Sequence, residues 1–342
     1  MNRILIVKVT SLGDIVFGQP IVSDLHRAFP GIKVDWAADA AFADILRWNP
    51  GIDRVLCAPL RGFKKQRSLA GLKTIWESIG ELRREKYDAV IDVHGVYKSA
   101  IIAFLARSRR RYGYRNADLG ETGAAFAYNE RFEPRGDLNA WDGLRSTVSQ
   151  TFGYSIDTAP DFGLRIPAPA VLPEAAKHAP FALFFHATSS AEKKWPIEHW
   201  HRIGRDMTAL GITPLLPWGG EAERQDAIAI ADGIPGAVVL PRLSVEAVAQ
   251  HIEMAAVIVG TDTGFVHLAS ALQKPTVMIF TATSRRHFGI DRPGLSKSVG
   301  DEGRPASIDE VREAIGAVMN RPDTLKQSVI LAGQTTAPTS GA

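Results

Sequence analysis

Residues 257–272 read VIVGTDTGFVHLASAL. Val257–Val259 have the continuous apolar character of a buried parallel strand, and Phe265, Leu268, Ala269 and Leu272 recur at helical spacing. The turn Thr261-Asp262-Thr263-Gly264 therefore lies where a strand hands over to a helix. There the first helical N–H groups have no partner within the helix, and the helix dipole adds partial positive charge. Gly264 admits close approach and Thr263 adds a hydroxyl, which suits a phosphate or pyrophosphate. The same letters also serve a plainer purpose: Asp262 or Thr263 can cap the helix, and His267 can be a core histidine.

Outward from this stretch the pattern repeats. Phe181–Phe185 reads as a strand ending in His186-Ala187-Thr188-Ser189-Ser190, and Pro196 opens a helix running to Leu210. Ile212–Leu216 is a strand ending in Pro217-Trp218-Gly219-Gly220. Ala237–Leu240 is another, and Ser244 caps a helix over Val245–Met254. Strand Thr276–Phe280 follows the opening stretch. Ser307-Ile308-Asp309-Glu310 has capping-box form at the head of a helix with Ile308, Val311, Ile315 and Val318 inward.

The first half obeys the same rule. Strands are expected at Arg3–Val9, Lys33–Ala37, Arg54–Ala58 and Tyr87–Val93. Helices are expected at Ile15–Phe29, near Ala41–Trp48, at Leu72–Lys86 and from the His94-Gly95 turn to Arg107. Leu72, Ile75, Trp76, Ile79 and Leu82 share one face of the third. Tyr112–Arg135 reads as a long loop or short pieces, and Leu138–Phe152 as a helix. This alternation defines an α/β fold of two doubly wound parallel sheets, whose ligands bind at the carboxyl ends of the strands. Prolines at 160, 167, 169 and 173 divide the chain into domains at residues 1–159 and 174–323 around a linker at 160–173. The polar end, 324–342, is expected to be disordered. Two such halves facing one another would form a central cleft.

The 342 residues carry 45% hydrophobic and 23% charged side chains, an ordinary globular composition. Residues 1–170 hold 24 Lys and Arg against 19 Asp and Glu, a balance of +5, and the remainder holds 16 against 18, a balance of −2. A basic first half points to an anionic partner there. The single cysteine, Cys57, precludes an intramolecular disulfide and fits a reducing compartment. The apolar run in MNRILIVKV is too short for a signal peptide, and a soluble cytoplasmic chain is expected. Neither half carries GxGxxG after its first strand, and GxxxxGK[ST] is absent throughout, which weighs against dehydrogenases and P-loop NTPases.

Five segments fall in one order: Ser11-Leu12-Gly13-Asp14, DVHGVYKSA (Asp92–Ala100), HATSSAEKKWP (His186–Pro196), LPWG (Leu216–Gly219) and TDTGFVHLASAL. Together they resemble the ADP-heptose:lipopolysaccharide heptosyltransferases, and within that family its heptosyltransferase I branch, over nearly the whole chain. The resemblance implies two Rossmann-like domains in the GT-B arrangement, an inverting mechanism and no metal. It further implies ADP-heptose as donor and the first Kdo of Kdo₂–lipid A as acceptor. Asp14 then matches the base that takes the acceptor proton, a service contributing on the order of 10²–10⁴-fold, where the residues alone favour a capping aspartate. Ser11 and Gly13 shape its loop. The N–H groups of Thr263 and Gly264 and the hydroxyls of Thr188 and Ser189 face the departing diphosphate. Lys193 matches the lysine that reaches the diphosphate or heptose, although a Lys-Lys pair in a loop is ordinarily solvated. Asp262 grips heptose hydroxyls, with His267 aiding through water or supporting the loop. Glu223 aligns with the acidic residue at the ribose, with Glu221 as rival, and Leu243 packs on adenine.

For the anionic, lipid-linked acceptor, Arg61, Lys64, Lys65 and Arg67 form one basic cluster, of which Arg61 and Lys64 match family positions. Arg107, Arg109, Arg110 and Arg111 form a second, equally readable as a solvated face. Gly120 stands where the family leads one to expect an acceptor-binding arginine, with Arg115 as the substitute. Neither Asp-x-Asp nor paired histidine spacing marks a metal site. The basic clusters lack the interleaved aromatics of nucleic-acid binders. A monomer, peripheral on the inner leaflet of the inner membrane, is the expected setting. The alternatives are heptosyltransferase II, a related transferase of another sugar, or a non-catalytic sugar-nucleotide binder.

Overall fold

A computed structural model describes residues 1–58, 69–134, 136–171 and 173–319. Arg61, Lys64, Lys65, Arg67 and the tail 324–342 lie outside the described residues. The chain separates into two compact units, the first ending at Arg165 and the second beginning at Ile166.

The first unit runs β1 (Arg3–Val7), α1 (Leu12–Ala28), β2 (Lys33–Asp39), α2 (Ala43–Arg47), β3 (Arg54–Ala58), α3 (Leu69–Arg83), β4 (Ala89–Asp92), α4 (Tyr97–Leu105), β5 (Arg111–Gly113), β6 (Glu130–Arg131) and α5 (Ala140–Phe152). Its strands pair in parallel in the order β3-β2-β1-β4-β5-β6. The second runs β7 (Phe181–Phe185), α6 (Ile197–Ala209), β8 (Thr213–Leu216), α7 (Glu221–Asp232), β9 (Val238–Val239), α8 (Val245–Met254), β10 (Val257–Thr261), α9 (Gly264–Ala271), β11 (Thr276–Ile279), α10 (Arg285–Phe288), β12 (Ser296–Val299) and α11 (Ile308–Met319). Its order, β12-β11-β10-β7-β8-β9, is the same topology again. The α/β class with doubly wound parallel sheets is borne out in both units.

Parallel strands covered on both faces must be apolar throughout. Ile4, Leu5, Ile6 and Val7 of β1 and Val257, Ile258 and Val259 of β10 are fully buried, each such side chain contributing about 1.5–3 kcal/mol. Helix ends follow their letters. Ser244 Oγ accepts from the Ala247 N–H at 3.1 Å. Ser307 and Glu310 exchange the two bonds of a capping box, at 2.9 and 3.2 Å. Helix α1 is fixed from behind, where the buried Arg145 of α5 grips Asp24 with two bonds of 2.8 and 3.0 Å.

Some expectations need correction. Trp76 does not face inward with Ile75, Ile79 and Leu82; it is 71% exposed. The loop around 112–135 contains the short edge pair β5 and β6. Strand β12, Ser-Lys-Ser-Val at the sheet edge, lacks an apolar run and left no signal. Helix α7 was likewise invisible because Ala227 and Ile230 are its only buried residues.

Gly260 marks the tightest joint near the opening turn. A Cβ there would lie 2.4 Å from Val266 Cγ2, 2.8 Å from Phe185 Cβ and 3.0 Å from the Phe185 carbonyl oxygen. Part of that obstruction is backbone of β7, which cannot move cheaply. Gly260→Ala is expected to lower stability by about 1–3 kcal/mol, read from the denaturant midpoint; an unchanged midpoint would show that strand and helix are free to part.

Candidate active site

In an open α/β sheet the ligand crevice opens where neighbouring strands send their connections to opposite faces. In the first unit that place is between β1 and β4, and in the second between β7 and β10. The segments that follow these four strands carry Lys8–Asp14, of which Leu12–Asp14 open α1, Val93–Val96, His186–Lys194 and Asp262–Thr263.

In the second unit these loops converge on Asp262, whose side chain is 9% exposed. Its Oδ2 accepts from Lys193 Nζ at 2.9 Å and from the Thr283 hydroxyl at 2.7 Å. Its Oδ1 lies 3.2 Å from His267 Nε2, and a carboxylate partner assigns the N–H to that nitrogen. Burial pushes the Asp262 carboxyl up, but the bonds and charge of His267, Lys193 and Thr283 outweigh it and hold it far below the ordinary range. Thr263 is the N-cap of α9, with extended backbone and no side-chain cap bond. The first N–H groups of the helix are thus left for a ligand beside the Lys193 ammonium, a geometry that favours a diphosphate.

In the first unit the centre is Asp14, whose side chain is 41% exposed. Its Oδ2 accepts from the Ser11 N–H at 2.9 Å and the Ser11 hydroxyl at 3.0 Å, and Oδ1 pairs with Lys8 Nζ at 3.1 Å. The buried Lys8 also donates to the Val93 carbonyl at 3.1 Å. Burial would raise the Asp14 carboxyl, but Lys8, the Ser11 N–H and His94 together bring it below its usual value. His94 Nδ1 accepts from the Val9 N–H at 3.3 Å, which leaves the proton on Nε2. Burial, then the Lys8 charge, hold the His94 ring down to about 4, so it is neutral at neutral pH. Asp92 accepts from the His94 and Gly95 N–H groups at 2.9 and 3.1 Å, and Gly95 supplies the φ of +79° that the turn needs.

The structure sorts the remaining expected residues. Ser11, not Asp14, is the N-cap of α1, and Asp14 is the third helical residue with a bond back to the cap. Lys193 and Lys194 part company, since Lys194 pairs with Asp226 at 2.6 Å. Thr188 donates its hydroxyl proton to the Ser190 carbonyl at 2.6 Å, so it is not a free donor, and Ser189 is exposed. Glu223 Oε2 takes the Gly219 and Gly220 N–H groups at 2.6 and 3.2 Å, organising the Trp218-Gly219-Gly220 turn. Glu221 is exposed and holds Arg224 and Gln225. Leu243 is half-buried just before the Ser244 cap. Gly13 is buried in the first turn of α1. Arg115, the substitute expected for Gly120, pairs with Glu133 at 2.9 Å and donates to the Phe132 carbonyl at 3.2 Å. Sequence reasoning missed Lys8, His94 and Thr283. A lysine inside the apolar run ILIVKV was the readable signal for Lys8.

Two α/β units of one strand order, each with an ionised cluster at its switch point, make a pair of Rossmann-like domains. Residues 75–303 match the model of glycosyltransferase family 9 (heptosyltransferase). The chain is 33% identical over 283 residues to lipopolysaccharide heptosyltransferase 1 of Escherichia coli K12, spanning 82% of this chain and 88% of that relative. Among solved structures it is similar to E. coli heptosyltransferase WaaC with ADP, with a TM-score of 0.79 and 29% identity over 92% of this chain and 99% of that one. WaaC with ADP-2-deoxy-2-fluoro heptose gives a TM-score of 0.76 at the same identity and coverage. The chain belongs to glycosyltransferase family 9, the heptosyltransferases.

Two outcomes follow from the charge pairs. In Lys8→Met the Asp14 carboxyl loses its cation and keeps its burial, so its pKa rises, as a carboxyl NMR titration would read; an unmoved pKa would show that Lys8 does not hold it down. Asp262 has a folded pKa below its unfolded value near 3.8. Its stabilisation is therefore present above that value and is lost as pH falls through the folded pKa. Asp262→Asn should flatten the melting-temperature profile from neutral pH to about pH 2 and lower its neutral plateau.

Proposed function

We propose that this chain transfers L-glycero-D-manno-heptose from ADP-heptose to the first Kdo of Kdo₂–lipid A, with inversion at the anomeric carbon and without a metal ion. The observation that carries the reading is Lys193 held on Asp262 at the head of α9, the place for a departing diphosphate. Similarity to a heptosyltransferase whose structures hold ADP and an ADP-heptose analogue supports the donor.

The acceptor belongs to the first unit. Asp14 takes the proton of the Kdo hydroxyl as that oxygen bonds to the anomeric carbon. The bond from that carbon to the β-phosphate oxygen breaks, and ADP leaves with the electron pair. Lys193 and the N–H groups of Thr263 and Gly264 stabilise the charge as it gathers on the diphosphate, because they are fixed before the reaction begins. Asp262 already accepts three bonds, so its main part is to position Lys193, with one lone pair left for a heptose hydroxyl. Glu223, through Oε1, reaches the ribose, and Leu243 lies against adenine. Ser11 and Gly13 shape the acceptor loop, and Arg61, Lys64 and Lys65 meet the acidic sugar and lipid phosphates. Among the described residues, His, Cys, Asp and Glu nowhere gather in threes able to hold a metal ion. The fixed lysine and helix terminus supply positive charge at the diphosphate. The enzyme meets this lipid-linked acceptor peripherally at the cytoplasmic membrane face, and acts as a monomer. Among the described residues no helix is long and apolar enough to cross a membrane.

ADP should bind in EDTA with unchanged affinity when magnesium is restored; calorimetry showing binding only with magnesium would remove the metal-free mechanism. Product mass from ADP-heptose and from UDP-glucose, each offered with Kdo₂–lipid A, identifies the sugar. Asp14→Asn should cut turnover by on the order of 10²-fold or more while ADP affinity holds. It also strips the buried Lys8 of its counter-ion, so the melting temperature should fall with it. The double variant Lys8→Met/Asp14→Asn should recover stability and not turnover. Recovery of both would reduce Asp14 to a structural partner of Lys8.

A further inference from the structure

Helix α4 presents an apolar stripe to solvent that neither switch-point cluster uses. Tyr97, Ile101 and Phe104 fall at i, i+4 and i+7 on one face and are 50%, 49% and 53% exposed. Phe126, from the turn Thr122–Ala127, is 55% exposed and sets its ring 5.8 Å from that of Phe104. The start of the same turn lies against Tyr97, whose ring would obstruct a Cβ on Gly123. The turn and the helix thus form one surface. Helix α3, carrying the exposed Trp76, joins it at the carboxyl end, where Arg83 donates to the Leu105 carbonyl and Arg107 to the Arg83 carbonyl.

Arginines border the stripe on the side of Phe104 and Phe126. The Arg111 guanidinium sits 5.9 Å over the Phe104 ring while its Nε donates to the Ala127 carbonyl at 2.9 Å. Arg131 donates to the Ala125 carbonyl at 3.2 Å. Arg107, Arg109 and Arg110 follow α4 directly and are exposed. A helix face of aromatic and aliphatic side chains with an arginine rim is the composition that lies in the plane of a membrane interface. The sign of the rim selects the partner, because anionic phospholipid attracts each such residue within about a Debye length of the surface. Glu121, which accepts the Tyr97 N–H at 2.6 Å, is the carboxylate bonded to the stripe's amino end.

We infer that the Tyr97–Ile101–Phe104 face, with Phe126 and its arginine rim, docks the enzyme on an anionic phospholipid bilayer. The second arginine cluster thereby gains a role apart from the acceptor sugar. The inference rests on the proposed reading only in that a lipid-linked acceptor gives docking a purpose.

The full chain is tested by co-sedimentation with phosphatidylcholine vesicles, with and without phosphatidylglycerol. Binding is expected to the phosphatidylglycerol vesicles at low salt, weakening as salt rises, with little to phosphatidylcholine alone. Ile101→Gln/Phe104→Gln and Arg109→Glu/Arg110→Glu should each lower that binding about tenfold or more. Their melting temperatures, ADP affinity and turnover on detergent-dispersed acceptor should stay near wild type. Equal binding by wild type and variants, or no binding by wild type, overturns the inference. So does a wild-type dimer that Ile101→Gln/Phe104→Gln dissociates, since a second copy would then cover the stripe. Vesicle binding requires no turnover. Binding lost in the variants alongside absent heptose transfer leaves the surface standing and removes the proposed reaction; transfer without vesicle binding does the reverse.

Discussion

A carboxylate that is 9% exposed, like that of Asp262, stays ionised only if its surroundings return what water would have given. Lys193, Thr283 and His267 do so, and they come from three different segments of the second unit. The loop after β7, the turn after β10 and the loop after β11 are therefore fastened to one charge. A second tie, from the Thr281 hydroxyl to the Glu192 carbonyl at 2.9 Å, joins the first and third of these again. The ammonium of Lys193 is consequently fixed beside the head of α9 rather than sampling solvent as a loop lysine ordinarily would. Rigid positive charge of that kind costs no reorganisation when charge develops on a leaving group.

The first unit solves the complementary problem with the signs exchanged. Its buried member is the cation, Lys8, with a side chain 7% exposed, and its outward member is the anion, Asp14, at 41%. In the second unit the buried member is the anion, and Lys193, at 23%, reaches outward. One topology thus offers a carboxylate at one switch point and an ammonium at the other. A hydroxyl to be deprotonated suits the first and a diphosphate suits the second. In each case the partners govern the titration of the carboxylate: Lys8 keeps Asp14 ionised against the pull of burial, as His267 and Lys193 do for Asp262.

Much of this was legible in the letters, and the exceptions have physical causes. Central strands such as Ile4–Val7 and Val257–Val259 announce themselves because both faces are covered. The edge strand Ser296–Val299 does not: it needs only one neighbour and tolerates Lys and Ser. The direction of Trp76 was unreadable because an exposed tryptophan on a helix has the same spacing as a buried one. Asp14 and Lys193 were recognised through resemblance rather than through spacing, since a carboxylate in a first helical turn and a lysine in a loop have common, plainer uses. Lys8, His94 and Thr283 escaped because contacts across a parallel sheet link residues far apart in sequence. Thr283 meets Asp262 over 21 residues and His94 meets Val9 over 85.

The segments that carried the resemblance divide by task once the contacts are known. In HATSSAEKKWP, His186 Nε2 lies 3.0 Å from the Glu223 carbonyl, where a carbonyl partner makes the ring nitrogen the donor, and the buried Trp195 donates to the Ala306 carbonyl at 2.9 Å. In LPWG, Trp218 donates to the Leu240 carbonyl at 2.7 Å, and Glu223 just beyond ties the glycine turn. These side chains hold in place the loop that carries Lys193 and the Trp218-Gly219-Gly220 turn. A motif can therefore be specific to a reaction although most of its side chains never meet the reactants. Their specificity lies in placing a few charges to within a hydrogen bond's tolerance, and a loop released by a lost carbonyl bond would forfeit that placement as surely as a lost lysine would.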